Sequence, residues 1–155
     1  MKILIIDFEG FKCKNQFIFQ EIAMYDYYHN VYNNYFLKLP KFTECKHKTY
    51  LEHHVNFIPS ILGTTKYQKI IDLITQYDII IVNGKKKFNI MKNILKKKII
   101  NIQQYAMPLQ NIQYALSKCK FIKHLNIKNC AINKLEIMVN KMKDNGIIQK
   151  INDYK

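Results

Sequence analysis

The chain reads as an α/β domain whose single mixed sheet has three antiparallel strands followed by two parallel ones, flanked by helices. Two observations carry this. Three strand-like segments with short turns between them fill the first quarter, as in a meander. The rest alternates helical periods with short apolar runs, the pattern of parallel strands joined by crossover helices.

Taken in order, Ile3-Leu4-Ile5-Ile6-Asp7 is a buried strand, with a turn carrying Gly10 and Asn15 after it. Phe17 to Met24 is the second strand, 26–30 the next turn, and the Tyr- and Phe-rich stretch Val31 to Leu39 the third strand. An irregular stretch runs from Pro40 to Thr65. Lys66 to Tyr77 places Tyr67, Ile70, Ile71 and Ile74 at helical spacing. Asp78 to Val82 is a short buried strand. Lys87 to Lys97 is a helix with Phe88, Met91, Ile94 and Leu95 on one face, and Ile99 to Ile102 is the last strand. Leu109 to Lys118 and Cys130 to Lys143 are helices. The expected organisation is one domain over residues 1–143 and a C-terminal tail, 144–155, able to form a helix.

Bulk composition narrows the function. The chain has 155 residues, 48% of them hydrophobic, too apolar for a disordered segment and enough for one core. No apolar run approaches the ~18 residues that cross a bilayer, and the N-terminus lacks a cleavage pattern, so an intracellular protein, cytoplasmic or nuclear, without a membrane partner is expected. Four cysteines in that setting are reduced thiols or metal ligands. The formal net charge is +14, and all 25 basic residues are Lys. Such a charge suits a polyanionic partner, RNA or DNA, held through phosphates rather than through the bidentate base contacts that Arg makes best. Abundant Lys, Asn, Ile and Tyr together also fit an AT-rich coding sequence, which would make part of the charge compositional.

Candidate chemistry begins at the end of the first strand. Asp7 and Glu9 are two residues apart, so in extended chain both face the same side. Paired carboxylates repel, and a divalent cation relieves the repulsion, the starting point of a Mg2+- or Mn2+-dependent phosphodiesterase. The plainer alternative is a strand end followed by a turn. Lys85, Lys86 and Lys87 open a helix, where free N–H groups and the dipole already favour phosphate, and are the candidate nucleic-acid contacts. Lys96, Lys97 and Lys98 at its far end read as a solvated face. Tyr25, Tyr27, Tyr28, Tyr32, Tyr35 and Phe36 could stack single-stranded bases, but sheet core is the commoner role for such residues. Cys119, His124 and Cys130 are spaced C-x4-H-x5-C, close to structural zinc spacing, with His54 the first choice for a fourth ligand. Core cysteines and a surface histidine are the alternative.

The order of elements is that of the ribonuclease-H-like fold, and several stretches resemble the DnaQ-like 3′–5′ exonucleases of the DEDDh type. Asp7-Phe8-Glu9 resembles their first acidic motif, and Gln20-Glu21-Ile22-Ala23 their second-strand pattern. Ile79 to Gly84 with Phe88-Asn89 and Leu95 resembles the second motif, and Asn129 to Lys134 the third. The resemblance implies four carboxylates holding two metal ions and a His that deprotonates water. This chain departs from it. The second-motif Asp falls at Asn89 or Lys87, the third-motif His at Asn129 and its Asp at Lys134. Only Asp7 and Glu9 stay in register. With the zinc-type cluster, the chain also resembles the Maelstrom domain, an exonuclease-like fold with a Glu-Cys-His-Cys zinc set, and exonuclease-like proteins of insect mobile elements and large DNA viruses. These features lead to a nucleic-acid-binding protein, more suited to single strands, with a degenerate catalytic site and structural zinc. The alternatives are an active exonuclease and a viral-type structural or protein-interaction module with a protein partner.

Overall fold

A computed structural model describes residues 1–13, 16–38, 63–105 and 130–153. Strands β1 (Ile3–Cys13), β2 (Gln16–Asp26) and β3 (Val31–Phe36) are followed by helix α1 (Tyr67–Thr75), β4 (Ile79–Val82), α2 (Lys85–Ile94) and β5 (Lys98–Asn101). Helices α3 (Ala131–Asp144) and α4 (Ile147–Asp153) close the described chain. The sheet order is β3-β2-β1-β4-β5, with β1–β2 and β2–β3 antiparallel and β1–β4 and β4–β5 parallel. This is the α/β, ribonuclease-H-like mixed sheet that the sequence leads one to expect. Among the described residues no helix is long and apolar enough to cross a membrane.

The two sheet faces follow from residue parity. Ile3 and Ile5 of β1 join Ala23, Tyr25, Ile79 and Ile81 beneath α3 and α4. Leu4, Ile6 and Phe8 join Ile22, Met24, Ile80 and Val82 beneath α1 and α2. Central strands covered on both faces need apolar residues at every position, which is why β4 reads Ile-Ile-Ile-Val and is buried throughout.

Several boundaries differ from the sequence reading. β1 runs on to Cys13, well past Asp7, and Gly10 lies within the strand rather than in a turn. A register shift between Glu9 and Gly10 absorbs one extra residue. A Cβ on Gly10 would lie 2.1 Å from the Ile18 carbonyl oxygen and 2.9 Å from the Phe17 ring, so this bulge admits no side chain. β3 ends at Phe36; beyond it the Leu37 N–H donates to the Gln20 carbonyl at 2.9 Å, and Leu37 forms an isolated parallel bridge to Thr65. Helix α2 starts at Lys85, two residues earlier than expected. The tail contributes to the fold: Ile147, Ile148 and Ile151 of α4 are buried in the same core as α3. The helix expected over 109–118 lies outside the described residues, as does nearly all of the Pro40 to Thr65 stretch.

The turn before β3 shows why the meander closes. Asp26 Oδ1 accepts the backbone N–H groups of Tyr28 (2.9 Å) and His29 (3.0 Å), an Asx-type turn. Asn30 takes the left-handed conformation (φ 57°) that Asn tolerates better than most residues. Its side chain accepts a hydrogen bond from the Tyr25 hydroxyl and another from Lys143 Nζ at 3.1 Å, tying the turn to α3.

Candidate functional site

β1 is longer than its parallel neighbour. Ile3, Leu4 and Ile5 pair with Ile79, Ile80 and Ile81, and β4 ends one residue later at Val82. Beyond that point β1 has β2 on one side and the β4–α2 turn on the other. Asp7 and Glu9 lie on this overhang, at the carboxyl ends of the parallel strands, the place where α/β sheets build sites. They share the face that carries α3, as their spacing requires.

The turn is shaped to deliver a lysine there. Gly84 has φ 101°, in the region that favours glycine, and its N–H donates to Asn101 Oδ1 of β5 at 2.9 Å. That bond fixes where α2 begins. Successive helical residues point about 100° apart, so the three lysines of the first turn diverge. Lys85 and Lys86 are exposed, whereas Lys87 turns inward. Its Nζ lies 2.5 Å from Asp7 Oδ1, 3.6 Å from Glu9 Oε1, and 5.4 Å from the centre of the Phe8 ring.

A second lysine arrives from the opposite direction. Lys134, in the first turn of α3, donates from Nζ to Glu9 Oε1. What aims it is Glu21, which pairs with Glu9 across the β1–β2 register and is itself buried. Glu21 Oε2 accepts the N–H of Ala131 at 3.3 Å, and Oε1 accepts the Cys130 thiol at 3.6 Å and Asn34 Nδ2 at 3.0 Å. No side chain of Cys130 caps α3. A carboxylate from β2 does so instead, satisfying a free N–H and meeting the positive end of the helix dipole.

The result is two carboxylates and two ammonium groups in one cluster. Asp7 is the buried member, with a side chain only 5% exposed, against 27% for Glu9, 21% for Lys87 and 32% for Lys134. Burial pushes the Asp7 carboxyl above its ordinary range, and Lys87 and Lys134 offset only part of that push. Asp7 Oδ2 has no hydrogen-bond partner among the described residues. For Lys134, burial acts to lower the ammonium pKa but is outweighed by Glu9, Asp7 and Glu21, which together raise it. The ammonium groups of Lys87 and Lys134 thus occupy the carboxylate oxygens that a divalent cation would need. Cation and ammonium compete for the same carboxylate oxygens, so these residues do not fit a two-metal centre. Among the described residues no group of three or more His, Cys, Asp or Glu is placed to hold a metal ion.

The other sequence candidates divide. His54, Cys119 and His124 lie outside the described residues. Cys130 is fully buried at the start of α3, its thiol directed at Glu21. Tyr25 is core, with Tyr32 packed against it at 4.5 Å between ring centres; Tyr27 and Tyr28 are exposed in the turn. The sequence resemblance suggests Lys134, and Lys87 or Asn89, as motif positions but does not reveal that Lys87 and Lys134 both reach the carboxylates. Their fall on the first turn of two helices flanking β1 is the signal that could have done so. Glu21 as a helix cap had no local signal, because donor and acceptor are 110 residues apart. Compared with known proteins, the chain matches no family model and no curated protein.

Proposed function

We propose that this chain is a nucleic-acid-binding domain of exonuclease-like design that does not hydrolyse its ligand. One observation carries the non-hydrolytic part: the ammonium groups of Lys87 and Lys134 on Asp7 and Glu9. A divalent-metal hydrolase needs those oxygens free for cations that activate water and shield the phosphate. Here the charge of the pair is already balanced by the chain itself. The binding part is supported by the net charge of +14, to which this cluster contributes nothing, two negative and two positive groups cancelling. The positive excess lies elsewhere, including exposed Lys85 and Lys86. The setting this reading fits is inside the cell, cytoplasmic or nuclear, with single-stranded RNA or DNA as partner.

Structural zinc belongs to the same reading, on Cys119, His124 and Cys130 with His54 as the fourth ligand. Cys130 supplies a sulfur of the right kind, and zinc binding there would remove the thiol proton that Glu21 now accepts. Elemental analysis of the purified protein tests it, with one zinc per chain expected and a metal-free protein overturning it.

The functional test is paired. Labelled single-stranded RNA and DNA are incubated with the protein and Mg2+ or Mn2+. No shortening is expected, together with binding that weakens steeply with salt because phosphate contacts release counterions. Strand degradation that disappears in an Asp7→Ala protein would overturn the non-hydrolytic reading. Binding that is absent, or indifferent to salt, would overturn the nucleic-acid reading.

A further inference from the structure

A cavity of about 660 Å3 opens on the opposite side of β1 from the acid–lysine cluster, between the β1–β2 hairpin and helices α1 and α2. Its lining brings together three kinds of group. Phe17 and Tyr67 supply aromatic surface, Lys12 and Lys86 bring two ammonium groups, and Asn89 and Asn93 offer carboxamides one helical turn apart on α2. No carboxylate lines it among the described residues. The rings are held firmly. Tyr67 stacks on Phe19 with 17° between ring planes, and Phe17 packs edge-on against Phe8 and Phe19 at 5.6 and 5.3 Å. The missing side chain at Gly10 lets the Phe17 ring lie against the β1 backbone. Lys12, Lys86, Asn89 and Asn93 are exposed, and none of them has a carboxylate partner among the ion pairs of the described residues.

We propose that this cavity is where a nucleotide unit of a single strand docks: base against Phe17 and Tyr67, base edge toward Asn89 and Asn93, phosphates on Lys12 and Lys86. The inference rests on the nucleic-acid reading above and gives it a location. Each part of a nucleotide meets a matching surface. A flat π-face suits an aromatic ring, carboxamides both donate to and accept from base edges, and a phosphodiester suits ammonium groups without a competing acid. The divergence of the first turn of α2 also gives the lysine run separate duties. Lys87 closes the carboxylate cluster and Lys86 faces the cavity.

The test compares binding of a fluorescent 12-residue oligouridylate, with uridine monophosphate as competitor, to the intact chain and three variants. Lys12→Ala/Lys86→Ala removes both cavity ammonium groups. Tyr67→Leu removes a stacking face while keeping apolar bulk. Lys96→Ala/Lys97→Ala is a charge-matched control in the exposed turn between α2 and β5. The cavity lysine pair should flatten the log K against log salt slope by about 1.4, two single-strand phosphate contacts at ~0.7 each, with the control pair changing it by far less. Tyr67→Leu should weaken the oligomer about ten-fold or more, with its thermal melt reported beside the binding to show a folded protein. If the oligomer binds the intact chain but the two lysine pairs behave alike and Tyr67→Leu binds normally, the location is overturned and the nucleic-acid reading stands. If the oligomer does not bind at all, both are overturned. Monophosphate binding as tight as that of the oligomer would make the cavity a free-nucleotide site and overturn the strand assignment.

Discussion

Lys87→Met isolates the electrostatics of the cluster. The substitution keeps an unbranched side chain over Phe8 and removes the ammonium 2.5 Å from Asp7 Oδ1. Stripping the partner from a fully buried ion pair costs about 3–5 kcal/mol. Two features reduce that here. Lys87 is itself 21% exposed, and Lys134 still acts on Asp7. The expected loss near pH 7 is therefore about 2–4 kcal/mol. The sign of the pH dependence follows from burial. The folded-state pKa of Asp7 already lies above its ordinary 3.8, and losing Lys87 removes one of the effects that lower it. A carboxyl raised in the fold binds more protons folded than unfolded, so its contribution to stability falls as pH rises from the ordinary carboxylate range through the raised value. The deficit of Lys87→Met should thus be small near pH 4 and grow toward pH 7. In an Asp7→Asn background, where the buried charge is gone, the same Lys87 change should cost about 1 kcal/mol or less. Urea unfolding of the four proteins at several pH values measures every term. A Lys87→Met cost that is equal at pH 4 and pH 7, or equal with and without the Asp7 carboxylate, would refute the reasoning.

Gly10→Ala places a methyl 2.1 Å from the Ile18 carbonyl oxygen in a paired strand, and should cost about 2–3 kcal/mol, lowering Tm by roughly 5–10 °C in a thermal melt. Burial acts to raise the Asp26 pKa, but the hydrogen bonds from the His29 ring and backbone N–H and from the Tyr77 hydroxyl outweigh it and hold it at about 2. That lowered carboxyl stabilises the fold above its unfolded pKa of 3.8, and the benefit fades as pH falls toward 2. Asp26→Asn should therefore cost at most about 2 kcal/mol at pH 6, with the difference closing in acid, as followed by urea titration. Ile151→Ala, on the last helix, should cost about 2–4 kcal/mol in denaturant unfolding because its side chain is in the core; a change under 1 kcal/mol would make α4 an appendage.

Much of the architecture is local in origin and therefore legible. The Ile runs at 3–6 and 79–82 are apolar at every position, as strands buried on both faces must be. Ile70 and Ile74 mark the inward face of α1 at helical spacing. The Asp7–Glu9 spacing fixes that both carboxylates share a face whatever the rest of the chain does. The ends of elements were harder to read. β1 continues past its carboxylates because the Gly10 bulge and pairing with β2 extend it, and pairing depends on a partner strand rather than on composition. The tail helix is too short to be stable alone and forms because the α3 core accepts its three isoleucines.

The sequence by itself determined which residues are charged, which faces are apolar and where the acidic pair stands on its strand, since each depends only on side-chain type and backbone period. Tertiary structure alone decided what that acidic pair meets. Lys87 and Lys134 lie 80 and 125 residues from their carboxylates, and Glu21 grips a helix start 110 residues away. Such pairings have no periodicity to read, because they are set by where the sheet order and the helix starts bring the chain back upon β1.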